Sequence, residues 1–291
     1  MNGFPIVTAG LAAAFSALLY IILKYFQRWN VNNLQGLTFN YITASLLSFV
    51  ITRETNTALL HTVPVILPPA ILIGLLFISV FYLTALTAQK SGLAAVSIAS
   101  KMSMAIPIVA GVLIFNDKIT LVRITGILLA LLAVFLSGSN SGEKSVDRSK
   151  ILLPVLLFIG SGLVDTSIKI SEHYFINPEN INLYFSFLFG TAGCFGITIL
   201  IFRYFQFKEK ITLQSVIGGI ILGSVNYYSL VFLVRALAHP AAESSIIFAV
   251  VNMFVVILST ISGILLFQEK PEAKKIAGLA LALLALLILS Q

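Results

Sequence analysis

The sequence predicts an all-α membrane protein, with ten transmembrane helices arranged as two inverted repeats of five. Three observations predict this class. The first is composition. Of 291 residues, 58% are hydrophobic and only 10% charged, and mean hydropathy is +1.02. A soluble domain carries about 25% charged residues, so too little polar surface remains to cover a water-soluble globule. The second is spacing. A bilayer core takes about 20 apolar residues as helix. Ten runs qualify: 4–26, 33–52, 66–88, 92–115, 120–138, 151–172, 180–202, 213–237, 241–267 and 273–290. The third is an internal repeat, in which residues 81–136 and 228–288 carry one pattern. GVLIFNDKITLVRITGILLALLA begins at Gly111 and GILLFQEKPEAKKIAGLALALLA at Gly263. Shifted by 152 positions, 11 of the 26 pairs from 111/263 to 136/288 are identical. Leu and Ala matches come easily in an apolar chain. Gly111/Gly263, Phe115/Phe267, Lys118/Lys270 and Gly126/Gly278 do not. A repeat over about half a membrane protein indicates assembly from two related halves.

Taken in order, the first run has no Lys or Arg before Lys24. It therefore lacks the basic start of a cleaved signal peptide and reads as a retained helix. Span 2 carries Asn40 and Tyr41, and span 3 carries Tyr82. Span 4 opens at Gly92 and carries Lys101 and Pro107. Span 5 contains LLALLAVFL and span 10 ALALLALLIL, with no charge inside either. A helix apolar all round can face lipid. Gly126 with Ala130, and Gly278 with Ala282, give these two spans small faces for close packing. The linker, SGSNSGEKSVDRSK, is small and polar and cannot pack a core. It divides the chain into a first repeat, 1–138, a linker, 139–150, and a second repeat, 151–291. Span 6 carries Asp165 and Lys169, and span 7 holds the single cysteine, Cys194, which excludes an intrachain disulfide. Span 8 has Asn226, Tyr227 and Tyr228 midway, and span 9 has Asn252.

Net charge is +7, but the basic residues sit in short loops between apolar runs, which fits a membrane face rather than nucleic acid. Loops 1–2, 3–4, 5–6, 7–8 and 9–10 share one side and hold 12 Lys/Arg; the other side holds 4. The positive-inside rule makes the first side cytoplasmic and puts both termini outside. With five spans per half, the repeats run in opposite directions, as in many secondary transporters.

Two five-span repeats, each closing on a Gly–apolar–acid–Lys turn and a Gly-containing last helix, resemble the drug/metabolite transporter superfamily, most closely its EamA-like branch. The residues carrying the resemblance are Pro107, Gly111, Phe115, Asn116, Asp117, Lys118 and Gly126 in one half, and Gly263, Phe267, Gln268, Glu269, Lys270 and Gly278 in the other. The resemblance covers nearly the whole chain. It implies a central cavity lined by spans 1–4 and 6–9, with spans 5 and 10 packed outside, in a bacterial inner membrane. It also implies cytoplasmic termini, against the charge count.

Charges inside spans usually face a bundle interior or an aqueous cavity. Lys101 lies about seven residues inside span 4, roughly 10 Å deep. Ser97, Lys101 and Met104 share one helical face, with Ser100 and Ser103 alongside. Pro107 removes a backbone hydrogen bond and should expose a carbonyl. A cation, hydroxyls and a free carbonyl make a site for an anionic or zwitterionic substrate. The plainer alternative is an ion pair with Asp165 that locks two helices. The shift of 152 sets Asn252 opposite Ser100 in the pseudo-symmetric span. Asn40, Tyr41, Tyr82, Asn226 and Tyr227 complete the candidate substrate-binding set, although a single mid-span Asn or Tyr is more often an interhelical hydrogen bond. Asp165, with Lys169 one turn on, is the candidate ion-coupling group for H+ or Na+, or else simply a neutralised pair. Gly92, Gly111, Gly223 and Gly263 are candidate flex points.

The expected function is a secondary active transporter, an exporter or permease, that moves a small polar or amphipathic metabolite by alternating access. No cofactor, metal or nucleic-acid partner is expected; the partners are the substrate and the bilayer, and the protein is a monomer or homodimer. No GxxxxGK[ST] occurs for a pump. An intramembrane enzyme is the main rival. Only one carboxylate is deep, however, His61, His173 and His239 are isolated, and neither HExxH nor GxSxG is present. A channel or scaffold is third, since rings of like charge are missing.

Overall fold

The computed structural model describes residues 4–51, 63–115, 120–138, 148–174, 181–237, 244–270 and 272–289. They form eleven α-helices and, among the described residues, no strand. In order these are α1 Phe4–Arg28, α2 Asn33–Ile51, α3 Val63–Lys90, α4 Leu93–Met102, α5 Ala105–Phe115 and α6 Leu121–Gly138. The second half contributes α7 Arg148–Tyr174, α8 Ile181–Phe207, α9 Leu213–Leu237, α10 Ser244–Phe267 and α11 Ala273–Leu289. Every apolar run of the sequence is a helix, and one of them, the fourth, is two. Seven segments are long and apolar enough to cross a membrane. Their outward side chains are large hydrocarbons, such as Leu72 at 62% and Leu265 at 73% exposure. Helices close their backbone hydrogen bonds internally and can stand in hydrocarbon with such a surface. The chain is an integral, multi-pass membrane protein.

Turn chemistry sets several helix ends. Asn30, Lys208 and Gln268 adopt left-handed φ of 53°, 55° and 54° just past α1, α8 and α10. At α1 the Val31 N–H closes the turn on the Phe26 carbonyl, 2.9 Å away. Asn32 then caps α2, its Oδ1 accepting from the N–H of Leu34 and of Gln35 at 3.0 and 3.2 Å.

The fourth run breaks at Ser103 and Met104, not at Pro107. Proline has no N–H, so its effect falls on the carbonyl four residues back. The Ser103 carbonyl instead accepts from Ile106 N–H at 2.9 Å. The carbonyl expected to be free is therefore already engaged in a tighter turn.

The helices pack into two compact units that draw on both halves of the sequence: Met1–Lys24, Leu83–Leu163 and Tyr228–Gln291 in unit 1, and Tyr25–Tyr82 with Val164–Tyr227 in unit 2. In unit 1, α6 lies along α11, and α4 packs on α6, α10 and α11. The small faces expected on spans 5 and 10 make the first contact. Ala130, Ala133, Ala282 and Ala285 are fully buried, and a Cβ on Gly126 would lie 2.7 Å from Leu289. In unit 2, α2 lies along α8, whose Gly190, Gly193 and Gly196 face Ser45, Ile42 and Thr38. Gly219 and Gly223 of α9 press on α2: a Cβ at either would come within 2.5 Å of a backbone oxygen, that of Gly36 or Asn40. Ile66, Ala70, Ile73, Tyr184 and Leu188 form a further cluster in this unit.

The linker from 139 to 147, the turn from 116 to 119, Pro240 and Glu243 lie outside the described residues, as do His61 and His239.

Candidate functional site

In unit 1 the site is built on α4, nearly all of which is buried. Its N-cap is Gly92, at φ 98° and ψ 169°, a conformation side chains rarely adopt. The first N–H of the helix, that of Leu93, donates to Glu269 Oε1 at 2.9 Å. The same oxygen takes an ion pair and hydrogen bond from Lys24 Nζ. Glu269 reaches this point because Gln268 turns left-handed and the Glu269 N–H folds back on the Gly263 carbonyl at 3.0 Å. Its carboxylate then sits between two glycines. A Cβ on Gly92 or Gly263 would lie 2.7 Å from Oε2. Lys24 also stands over the Phe267 ring, 4.7 Å from its centroid. One carboxylate thus ties the end of α1, the start of α4 and the α10–α11 turn. Gly92 and Gly263, expected as flex points, are close-approach positions around it. Glu269 and Lys24 were visible in the sequence only as a turn motif and a terminal lysine.

Further along α4 come Ser97, Ser100 and Lys101. Ser97 is fully buried, and its hydroxyl donates to the Ala94 carbonyl at 3.0 Å, so its proton is already committed. The Ser100 carbonyl accepts from Ser103 Oγ at 2.6 Å, and the Ser100 side chain is half-buried. Lys101 is half-buried and makes no hydrogen bond or ion pair with any described residue. Asn252 is half-buried on α10, the helix packed on α4.

In unit 2, Asn226 Nδ2 donates to Asn40 Oδ1 at 3.3 Å. Asn40 is fully buried, and its own Nδ2 has no partner among the described residues. Tyr41 is fully buried too, but its hydroxyl donates to the Phe77 carbonyl at 2.9 Å and its ring packs among Phe77, Phe81 and Phe189. Tyr41 is a core residue whose hydroxyl proton is already engaged. Tyr227 is buried and Tyr82 exposed. Asp165 and Lys169 are both exposed on α7, one turn apart, rather than buried. The structure thus gathers Ser97, Ser100, Lys101 and Asn252 in unit 1, and Asn40, Tyr41, Tyr82, Asp165, Lys169, Asn226 and Tyr227 in unit 2.

Two cavities accompany these groups. The one in unit 2, about 300 Å³, is lined by apolar side chains such as Phe39, Ile42, Ile197 and Ile201. The one in unit 1, about 210 Å³, is bordered by Lys24, Ser91, Gly92 and Glu269.

No family model matches the chain. It is 28% identical over 281 residues to an uncharacterized protein of Haemophilus influenzae, covering 94% of each chain. It is 29% identical over 190 residues to a Lactobacillus johnsonii protein named "Putative sugar uptake protein", covering 60% of this chain and 62% of that one. A solved structure titled only as the crystal structure of a protein aligns with a TM-score of 0.51 at 8% identity, over 95% of this chain and 97% of the other. At that identity it speaks to the fold alone.

Proposed function

We propose that this chain is a ten-span secondary transporter of the EamA-like drug/metabolite kind, which moves a small polar solute across a bacterial inner membrane by alternating access without converting it. The similarity to a protein named for sugar uptake makes sugars the first substrate class to test. The observation that carries the reading is Lys101, a cation on a buried membrane helix with no partner among the described residues. A charge at such a position is costly and is kept where it serves a pathway. Its ammonium can donate to sugar hydroxyls as well as to a carboxylate. Asn252, on the helix packed against α4, supplies an amide with both donor and acceptor.

The loop contacts agree with ten spans. Loops 3–4 and 9–10 meet through Leu93 and Glu269. Loops 1–2 and 7–8 meet through Asn32 with Glu209 and Gln35 with Lys210. Loops of one parity meeting one another is what alternate crossing of a bilayer requires. Asp165 with Lys169 stays the candidate coupling pair for H+ or Na+.

The test is a thermal-shift screen of the purified protein against sugars, amino acids, nucleotides and cationic drugs, repeated with Lys101→Ala. A bound ligand at 100 times its Kd stabilises by about 2.7 kcal/mol. A sugar should raise the wild-type melting temperature and leave Lys101→Ala unmoved, and the same variant should lose uptake into proteoliposomes while inserting normally. Full uptake by a correctly inserted Lys101→Ala would overturn the role of Lys101.

A further inference from the structure

The 210 Å³ cavity of unit 1 is bordered by four lysines and two glutamates. Two of the charges cancel on each side. Glu269 holds Lys24, and Glu272 lies 3.9 Å from Lys275. Lys90, the last residue of α3, and Lys270, in the α10–α11 turn, are both exposed and have no carboxylate partner among the described residues. The cavity therefore presents two uncompensated cations where apolar helices end. On the helices flanking Lys270, Leu265, Leu266 and Ile276 turn outward at 73%, 46% and 53% exposure. A soluble anion has no use for that hydrocarbon. A phospholipid offers a phosphate to the lysines and acyl chains to the leucines.

We propose that this cavity binds the phosphate of an anionic phospholipid, held by Lys90 and Lys270. Loops 3–4 and 9–10 supply these lysines and belong to the side that the charge count makes cytoplasmic, where anionic headgroups draw basic residues. Glu269 does not oppose the site, because its charge is already taken by Lys24 and the α4 N-terminus. The site is independent of the transported substrate and of Lys101.

The experiment titrates the purified full chain, in nonionic detergent, with phosphatidylglycerol, phosphatidylcholine or inorganic phosphate, and reads the melting temperature. Phosphatidylglycerol should stabilise saturably and phosphatidylcholine should not. Lys90→Gln/Lys270→Gln should weaken the phosphatidylglycerol response about 30-fold, roughly fivefold per lysine. The single variants carry the same test should the double variant fail to fold. An unchanged response in the variants, or equal stabilisation by phosphatidylcholine, overturns the site. Equal, lysine-dependent stabilisation by inorganic phosphate overturns the lipid assignment in favour of a soluble phosphate.

Discussion

Glu269 shows how much one residue can carry and how little of that is local. Its partners Lys24 and Leu93 are 245 and 176 residues away in the chain. Both Glu269 and Lys24 are mostly buried, at 16% and 14% side-chain exposure, so solvent screens the pair only partly. Glu269→Gln keeps the size, loses the ion pair and weakens the cap of α4. It should cost about 1–2 kcal/mol, measured as a lower melting temperature in detergent. Lys24→Met should cost a similar amount, and the double variant less than the sum, because both remove one interaction. Additive losses would mean that the pair does not act as a unit. The acid–Lys motif was legible as a repeated turn, yet a turn motif does not name tertiary partners. The same limit applies to Tyr41 and Ser97. Polar residues in a membrane span stand out, but composition does not say which one spends its hydroxyl on a backbone carbonyl. Lys101 stood out in the sequence because a charge deep in an apolar run is costly and rare.

At the scale of the element, helix existence was almost wholly legible, since a bilayer demands long apolar runs and the chain has few other features. Pro107 was legible as a lost backbone hydrogen bond, but the place of the helix break was not. Proline acts on the carbonyl four residues earlier, so the turn falls at Ser103 rather than at Pro107. Packing was legible where small residues recur in both repeats, as on α6 and α11. It was missed on α9, where Gly223 was read as a hinge. Gly219 and Gly223 are one helical turn apart and let the α9 backbone approach that of α2, which brings Asn226 to Asn40. Gly223→Val should therefore force the two helices apart, costing about 1–3 kcal/mol. Gly10→Val is the control, because no atom lies within 4 Å of a Cβ there. Unfolding temperatures of the two variants in one detergent check this. Equal behaviour would remove the close approach as an explanation for the glycine.

The whole molecule leaves one conflict between two legible signals. Charge puts loops 1–2, 3–4, 5–6, 7–8 and 9–10 in the cytoplasm and the termini outside, whereas the EamA-like resemblance implies cytoplasmic termini. Loop contacts group residues by side without saying which side is which. Lys24, Gly92 and Glu269 converge within unit 1, and Gln35 meets Lys210 within unit 2. A single cysteine at Lys90 or Lys208, both exposed, in a chain whose exposed Cys194 is replaced by Ser, tests the orientation. In intact cells both cysteines should resist a membrane-impermeant thiol reagent and react only after permeabilisation. Labelling of both from outside would reverse the orientation, move the lysine-bordered cavity to the outer leaflet and make the family habit the better guide.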